Sequence, residues 1–595
     1  MSIDPENGDD LAPKQDLAPK QDLAPKQDLA PKQDGTDKDA AKNAAESPES
    51  ANKTQGISPL ILDAAIADAA IIDPAIIDPA IIDPAIIDPA ISRPNESDAL
   101  LDKMDALLDR WSDHLNPILV KETRQALKSR QFLTTFFLLL ICAWGWSLIA
   151  IAMQAWDGGS EFGRGTLTGY FIVLIVPMII IVPFTAFRSL AREREDGTHE
   201  LLSITTLGAR QIIMGKLGSA ILQMMLFYSV LAPCITFTYL LRGVDVLTIG
   251  ILLWYTLLIS VVLSGLGLLL AAAARANHWQ VLLSLLLLAI LVLSAFMWGG
   301  GGAGIAWGVE LNAGESTFWY VNLMINMMAI CFLVLFLQGG AAQISFASDN
   351  RSTKPRITMV IQTMILVGWA TGFTLGTLGD RFVAQTVAFA ACVALGIYWT
   401  IMGSLLMGEV STLSPRVRRS LPQTGLGRVL FSWFMPGGGT GYILTLCSLA
   451  ASLIIVCFAY AANDSTTDNM LFVFGYLLFF YVTTYLGIAR LLLSASSRSW
   501  QPGPLGSLVL TVSLLTFGAI LPWTLQILAY RVFGEDYTAL QAPNWIWTLG
   551  EVVRENSGEV VVTAVIMAIV SGAVFLANLF PIGRELSQYN IAAPK

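Results

Sequence analysis

The sequence predicts an all-α fold: a polytopic membrane helix bundle of about twelve transmembrane helices behind a disordered, repetitive N-terminal tail. Composition predicts it first: 54% of 595 residues are hydrophobic and only 14% charged, and mean hydropathy is +0.61. Second, the apolar residues fall in runs of ~20, the length that a ~30 Å hydrocarbon layer requires. Third, those runs lack strand alternation, and of the two structures that satisfy their backbone in lipid only helices then remain.

The tail comes first. Residues 1–97 hold the hexapeptide DLAPKQ four times from Asp10 and the pentapeptide IIDPA four times from Ile71. A proline every five or six residues removes amide donors and blocks a continuous helix, and the first repeat is too polar to bury a core. Charge divides at the same boundary. Residues 1–114 carry 24 acids and 10 bases, whereas the remaining chain carries 21 acids and 26 bases. The acidic balance therefore belongs to the tail.

Residues 98–131 read as amphipathic and interfacial helices. Leu100, Leu101, Met104, Leu107, Leu108, Trp111 and Leu115 make one stripe opposite Asp102, Asp105, Asp109 and Asp113. An acidic face is repelled by anionic lipid, so this helix suits a protein surface. From Asn116 the character turns basic. Lys121, Arg124, Lys128 and Arg130, with Ile118, Leu119, Val120 and Leu127, suit a helix lying along the cytosolic membrane surface.

Spans are expected at 133–153, 167–187, 217–241, 247–274, 279–298 and 319–338, then at 358–378, 383–405, 443–462, 470–493, 505–530 and 560–580. They divide into a first half, 132–338, with a cytosolic loop at 188–216, and a second six-span half, 339–595. No signal peptide precedes the first span, which is expected to stay as an anchor. With both termini cytosolic, 21 of the 26 bases after residue 114 lie inside; Arg164, Arg242, Arg381, Arg531 and Arg554 lie outside. That is the positive-inside bias. The six cysteines all fall in spans with no metal or disulfide spacing, and His114, His199 and His278 form no ligand motif.

Few groups here do chemistry. Arg275, Glu409, Arg490 and Arg531 sit near span ends, where side chains reach the interface. No carboxylate or histidine stands at mid-depth, which argues against ion-coupled transport. The phosphate-cradling GxxxxGK[ST] pattern is missing, since Gly215-Lys216 is followed by Leu217. The run 299–302 reads as a flexible or re-entrant external loop. Pro177, Pro183, Pro233 and Pro522 are candidate kinks. Enzymatic activity, a metal site and a cofactor are not expected in the chain itself.

The distinctive segment is 191–216, AREREDGTHELLSITTLGARQIIMGK, on the cytosolic side by charge counting. Arg192, Glu193, Arg194, Glu195 and Asp196 alternate in sign; Gly197-Thr198 break the chain; Glu200, Leu201 and Leu202 open a short helix. A second helix is expected from Ala209 to Lys216, leading into the third span. Charged and apolar faces on a helix outside the membrane make a docking knob, where exposed ion pairs of ~0–1 kcal/mol set register and partner choice more than affinity.

In this segment the chain resembles the permease subunits of ABC-2 type transporters. The matching residues are Glu193, Glu195, Gly197, Thr198, Glu200, Leu201, Leu202, Thr205, Leu207, Gly215 and Lys216, while His199, Thr206 and Gly208 depart from the pattern. Residues 116–130 are similar to the family's N-terminal interfacial helix. The resemblance covers about 116–298. It implies an exporter subunit of a bacterial cytoplasmic (inner) membrane. It also implies a coupling helix seated on a separate ABC ATPase that binds the ATP, a lipid bilayer as surroundings, a possible second permease copy and no nucleic acid. In the second half the loop 406–442 holds Arg416, Arg418, Arg419 and Arg428 without the motif, and reads as a basic surface patch in preference to a second docking site. Two other functions remain open. An ATPase-independent carrier or channel would line its path with Asn322, Asn326 and Gln362; a membrane assembly or scaffold protein would recruit partners through the acidic tail.

Overall fold

The computed structural model describes residues 116–595, except 158–161, 196–207, 241–243, 275, 308–312, 347, 377–379, 410–430, 464–469, 497–502, 531–536, 555–557 and 591–595. The tail repeats, the 98–115 stripe and the heart of the coupling segment lie outside the described residues. Among the described residues every regular element is a helix, and twelve are long and apolar enough to cross a membrane. The chain is a multi-pass membrane protein.

Helix α1 (Pro117–Leu127) begins because Pro117 fits the first turn and the Asn116 side chain accepts from the Ile118 amide. Lys128 caps it and Arg130 starts the next helix, so Lys121 and Arg124 ride on α1 and Lys128 and Arg130 flank its break. The first span is α2 (Arg130–Asp157). The second comprises α3 (Phe162–Ile175), a π-helical turn (Val176–Ile181) and α4 (Val182–Glu195). Spans three to six are α5 (Ala209–Leu240), α6 (Val246–Ala273), α7 (Asn277–Trp307) and α8 (Ser316–Ile344). Spans seven to ten are α9 (Thr353–Gly376), α10 (Arg381–Met407), α11 (Gly438–Asn463) and α12 (Met470–Ser496). The eleventh is α13 (Gly503–Tyr530); a short α14 (Trp545–Arg554) precedes the twelfth, α15 (Gly558–Asn590).

Two expectations are corrected. Residues 209–216 are the first turns of α5 and no separate helix: nothing interrupts the hydrogen-bond ladder between them and the span. The glycines at 299–302 are helical, inside α7. A Cβ on Gly302 would lie 2.3 Å from the Phe171 ring, so that glycine admits close packing on the second span. Pro177 coincides with the π turn, and the buried Ser260 hydroxyl of α6 donates to the Met178 carbonyl at 2.5 Å, giving the distorted backbone a partner.

The helix pairings repeat. In the first six spans the main partners are 1–2, 1–3, 2–3, 2–4, 2–5, 3–4, 3–6, 4–5 and 4–6. In the last six they are 7–8, 7–9, 8–9, 8–10, 8–11, 9–10, 9–12, 10–11 and 10–12, the same set advanced by six. There are two buried apolar cores, one running from Leu139 to Ala306 within the first half and the other built by the second half together with Leu335 of α8. The main seam between halves is spans six and seven, α8 on α9, where the Thr358 hydroxyl donates to Gln338 at 2.7 Å.

Candidate functional site

The salt bridges among the described residues all lie at one end of the bundle, the end that carries α1. One joint there is built on Lys216, whose side chain is 1% exposed and whose ammonium is 3.0 Å from both Glu122 of α1 and Glu193 of α4. The residues beside it explain how α1 reaches it. A Cβ on Gly215 would lie 2.9 Å from the Ile118 side chain, and one on Gly218 would lie 2.8 Å from Leu119. Two glycines one turn apart therefore let α1 lie directly on α5. Asn116 completes the joint, donating through Nδ2 to the Gln211 carbonyl at 2.6 Å. The consecutive glycine and lysine have separate tasks: close approach for one, a buried cation for the other.

The remaining charged residues of the sequence motif divide. Arg194 donates through Nη1 to the Ala274 carbonyl just past α6, at 3.0 Å. Glu195 accepts from the Gln280 amide of α7 at 2.5 Å. Arg192 is exposed. Asp196, Gly197, Thr198, Glu200, Leu201 and Leu202 lie outside the described residues, as do Thr205 and Leu207. Glu193 and Lys216 are therefore turned into the protein, where they tie the end of the second span to α1 and the third.

The second half builds an analogous joint with different residues. Glu409 follows the eighth span as Glu193 ends the second. Its carboxylate accepts from Arg356 at 2.5 Å. The Arg356 guanidinium, fully buried, also donates to the Trp433 carbonyl at 2.8 Å, the Gly437 carbonyl at 3.0 Å and Thr440 Oγ1 at 2.9 Å. Arg490, 3% exposed, donates to Asn578 Oδ1 at 3.0 Å and to Glu585 at 3.2 Å, and the Gly439 amide donates to the same carboxylate at 2.8 Å. Arg490 and Glu409 thus bind inside the bundle in place of reaching for the interface: four acceptors meet the Nη groups of Arg356 and offset the cost of its buried charge, although its Nε has no partner among the described residues. Arg275, Arg531 and the basic run 416–428 lie outside the described residues.

The polar residues expected to line a carrier's path instead join helices. Tyr255 of α6 donates to Asn322 Oδ1 at 2.6 Å, and Trp254 donates to Asn326 Oδ1 at 2.8 Å. Gln362 is 1% exposed and accepts from Tyr398 at 3.3 Å. At the opposite end from α1, Gln541 donates to the Pro522 carbonyl at 3.2 Å and to Gln526, while Tyr481 donates to the Ala542 carbonyl at 2.6 Å. These bonds hold the segment before α14 onto the bundle.

Sequence reasoning missed Glu122, Gly218, Ala274, Gln280 and Arg356. Only the glycine carried a signal, its spacing of three from Gly215. A scan against protein-family models gives no match to this chain, and neither the curated proteins nor the solved structures give one.

Proposed function

We propose that the chain is the membrane-spanning permease subunit of an ATP-driven ABC exporter, moving substrate with energy from a separate ATPase subunit that docks on the segment between the second and third spans. One observation carries the reading. The segment that resembles a coupling helix joins α4, which ends at Glu195, to α5, which begins at Ala209, and the chain on both sides of it is pinned: Glu193 to Lys216, Arg194 to the end of α6, Glu195 to α7. Force on such a segment moves the attached spans together instead of bending a free loop. The π turn in the second span is a site where that helix can change direction. Charge counting puts the segment in the cytosol, where an ATPase would be.

The division of the motif alters the roles of its residues. Arg192, Asp196, Glu200, Leu201 and Leu202 are the contact residues; Glu193, Lys216 and Glu122 transmit. Gathering Asn322, Asn326 and Gln362 into helix-to-helix bonds favours this reading over an unassisted carrier.

The test is co-purification from native membranes. Wild type is expected to retain a nucleotide-hydrolysing protein, and Asp196→Lys with Glu200→Lys to lose it while eluting as a monodisperse membrane protein. If no such protein accompanies the wild type, or the double variant retains it in full, the proposal fails.

A further inference from the structure

A cavity of about 350 Å³ opens beside the Lys216 joint, between α1, the start of α2, the end of the second span and the start of α5. Its lining holds four cations, Lys121, Arg188, Arg192 and Lys216, and two carboxylates, Glu122 and Glu193. Both carboxylates are engaged by the Lys216 ammonium. Lys121, Arg188 and Arg192 form no salt bridge among the described residues. Arg188 and Arg192 stand four residues apart on one face of α4, a like-charge spacing that disfavours a helix unless an anion sits between them.

The rest of the lining mixes apolar side chains, Phe132, Ile181, Ala186 and Phe227, with neutral polar ones such as Ser129, Thr185 and Gln223. Gln131 and Thr135 of the lining share a face of α2 with Leu138 and Cys142, both exposed. Exposed cations, apolar side chains in the lining and an outward apolar face of α2 beside it match an amphiphile that has one anionic head and hydrocarbon chains. We infer that this cavity binds the phosphate headgroup of an anionic membrane lipid, with Lys121, Arg188 and Arg192 around the phosphate and the chains running along α2. A free phosphate shares the head chemistry but has no use for the apolar side chains of the lining or for the exposed face of α2. The inference does not depend on an ATPase, and its test uses the chain alone.

The full-length chain is purified in detergent, and lipid retention is followed by native mass spectrometry after adding phosphatidylglycerol or phosphatidylcholine. Wild type is expected to retain phosphatidylglycerol preferentially. Lys121→Gln with Arg188→Gln should lower that affinity roughly thirtyfold, since each juxtamembrane cation contributes ~1 kcal/mol toward anionic lipid. Ser189→Trp, which fills the lined space and leaves every charge in place, should abolish retention as well. Unfolding temperature in phosphatidylcholine nanodiscs verifies that each variant is folded; if the charge pair is not, Ser189→Trp alone decides. Equal retention of the two lipids by wild type, or retention of phosphatidylglycerol by a folded variant at the wild-type level, overturns the inference. Displacement of the lipid by millimolar inorganic phosphate alone overturns it too, because the site then reads phosphate without chains.

Discussion

Replacing Lys216 by Met deletes one buried cation and leaves two carboxylates facing the space it held. Removing one partner of a buried pair costs ~3–5 kcal/mol, most of it from the charge left uncompensated. The geometry places Lys216 in that class: its side chain is 1% exposed and contacts both Glu122 and Glu193 at 3.0 Å. The two acids retain 12% and 16% exposure, so water reaches them in part and the expected loss is at the lower end, about 3 kcal/mol. Met fills nearly the same volume, which separates the charge from a cavity effect. Unfolding by sodium dodecyl sulfate in mixed micelles measures the free energy, with tryptophan fluorescence as the signal. Adding Glu193→Gln to Lys216→Met should return ~1–2 kcal/mol, because one of the two stranded charges is gone. A loss for Lys216→Met below ~1 kcal/mol, the range of an exposed pair, would refute the buried-joint argument. So would a double variant no more stable than the single.

Other perturbations test the rest. Arg356→Met, in the second half, should destabilise by at least as much as Lys216→Met in the same titration, since it strands Glu409, takes the donor from the Trp433 carbonyl and removes bonds to Gly437 and Thr440. Gly169→Ala should cost ~1–3 kcal/mol by overpacking, because its Cβ would fall 1.8 Å from the Trp146 ring, which is itself tied to the Thr166 carbonyl. Tyr255→Phe should loosen the fourth span from the sixth, read as faster exchange of the α8 amides near Asn322. Arg124→Cys should react with an impermeant maleimide only after cells are permeabilised and Asp245→Cys should react in intact cells; the opposite pattern would invert the topology.

The spans were legible because hydropathy reports the one property that a helix in lipid cannot do without. All twelve fall where the apolar runs place them, and most of the helices extend a turn or more beyond those runs, because the backbone ladder continues into the polar residues that follow. What the sequence misrepresents are relations between distant residues. Glu122 and Lys216 are 94 residues apart, and nothing in either stretch shows that they pair. Read locally, Glu193 and Lys216 look like members of an exposed docking motif; in three dimensions they form an internal brace. Arg490 resembled a snorkelling residue for the same reason. Its burial depends on Glu585 and Asn578, which come in only with the last span. The glycines of 299–302 misled because a glycine run signals a loop in water, whereas here it is helical and Gly302 alone of the four is needed for close approach, to Phe171.

The pairings that recur with an offset of six have a consequence for how the chain is made. Each half completes its own set of main helix partners, so the sixth span to leave the ribosome already has those neighbours within the first half. A nascent chain paused after α8 holds a finished apolar core from Leu139 to Ala306. Only the flank that will meet α9 is unfinished. The molecule is therefore suited to assembly in two instalments, and a break in the connection between α8 and α9 should spare most of its architecture.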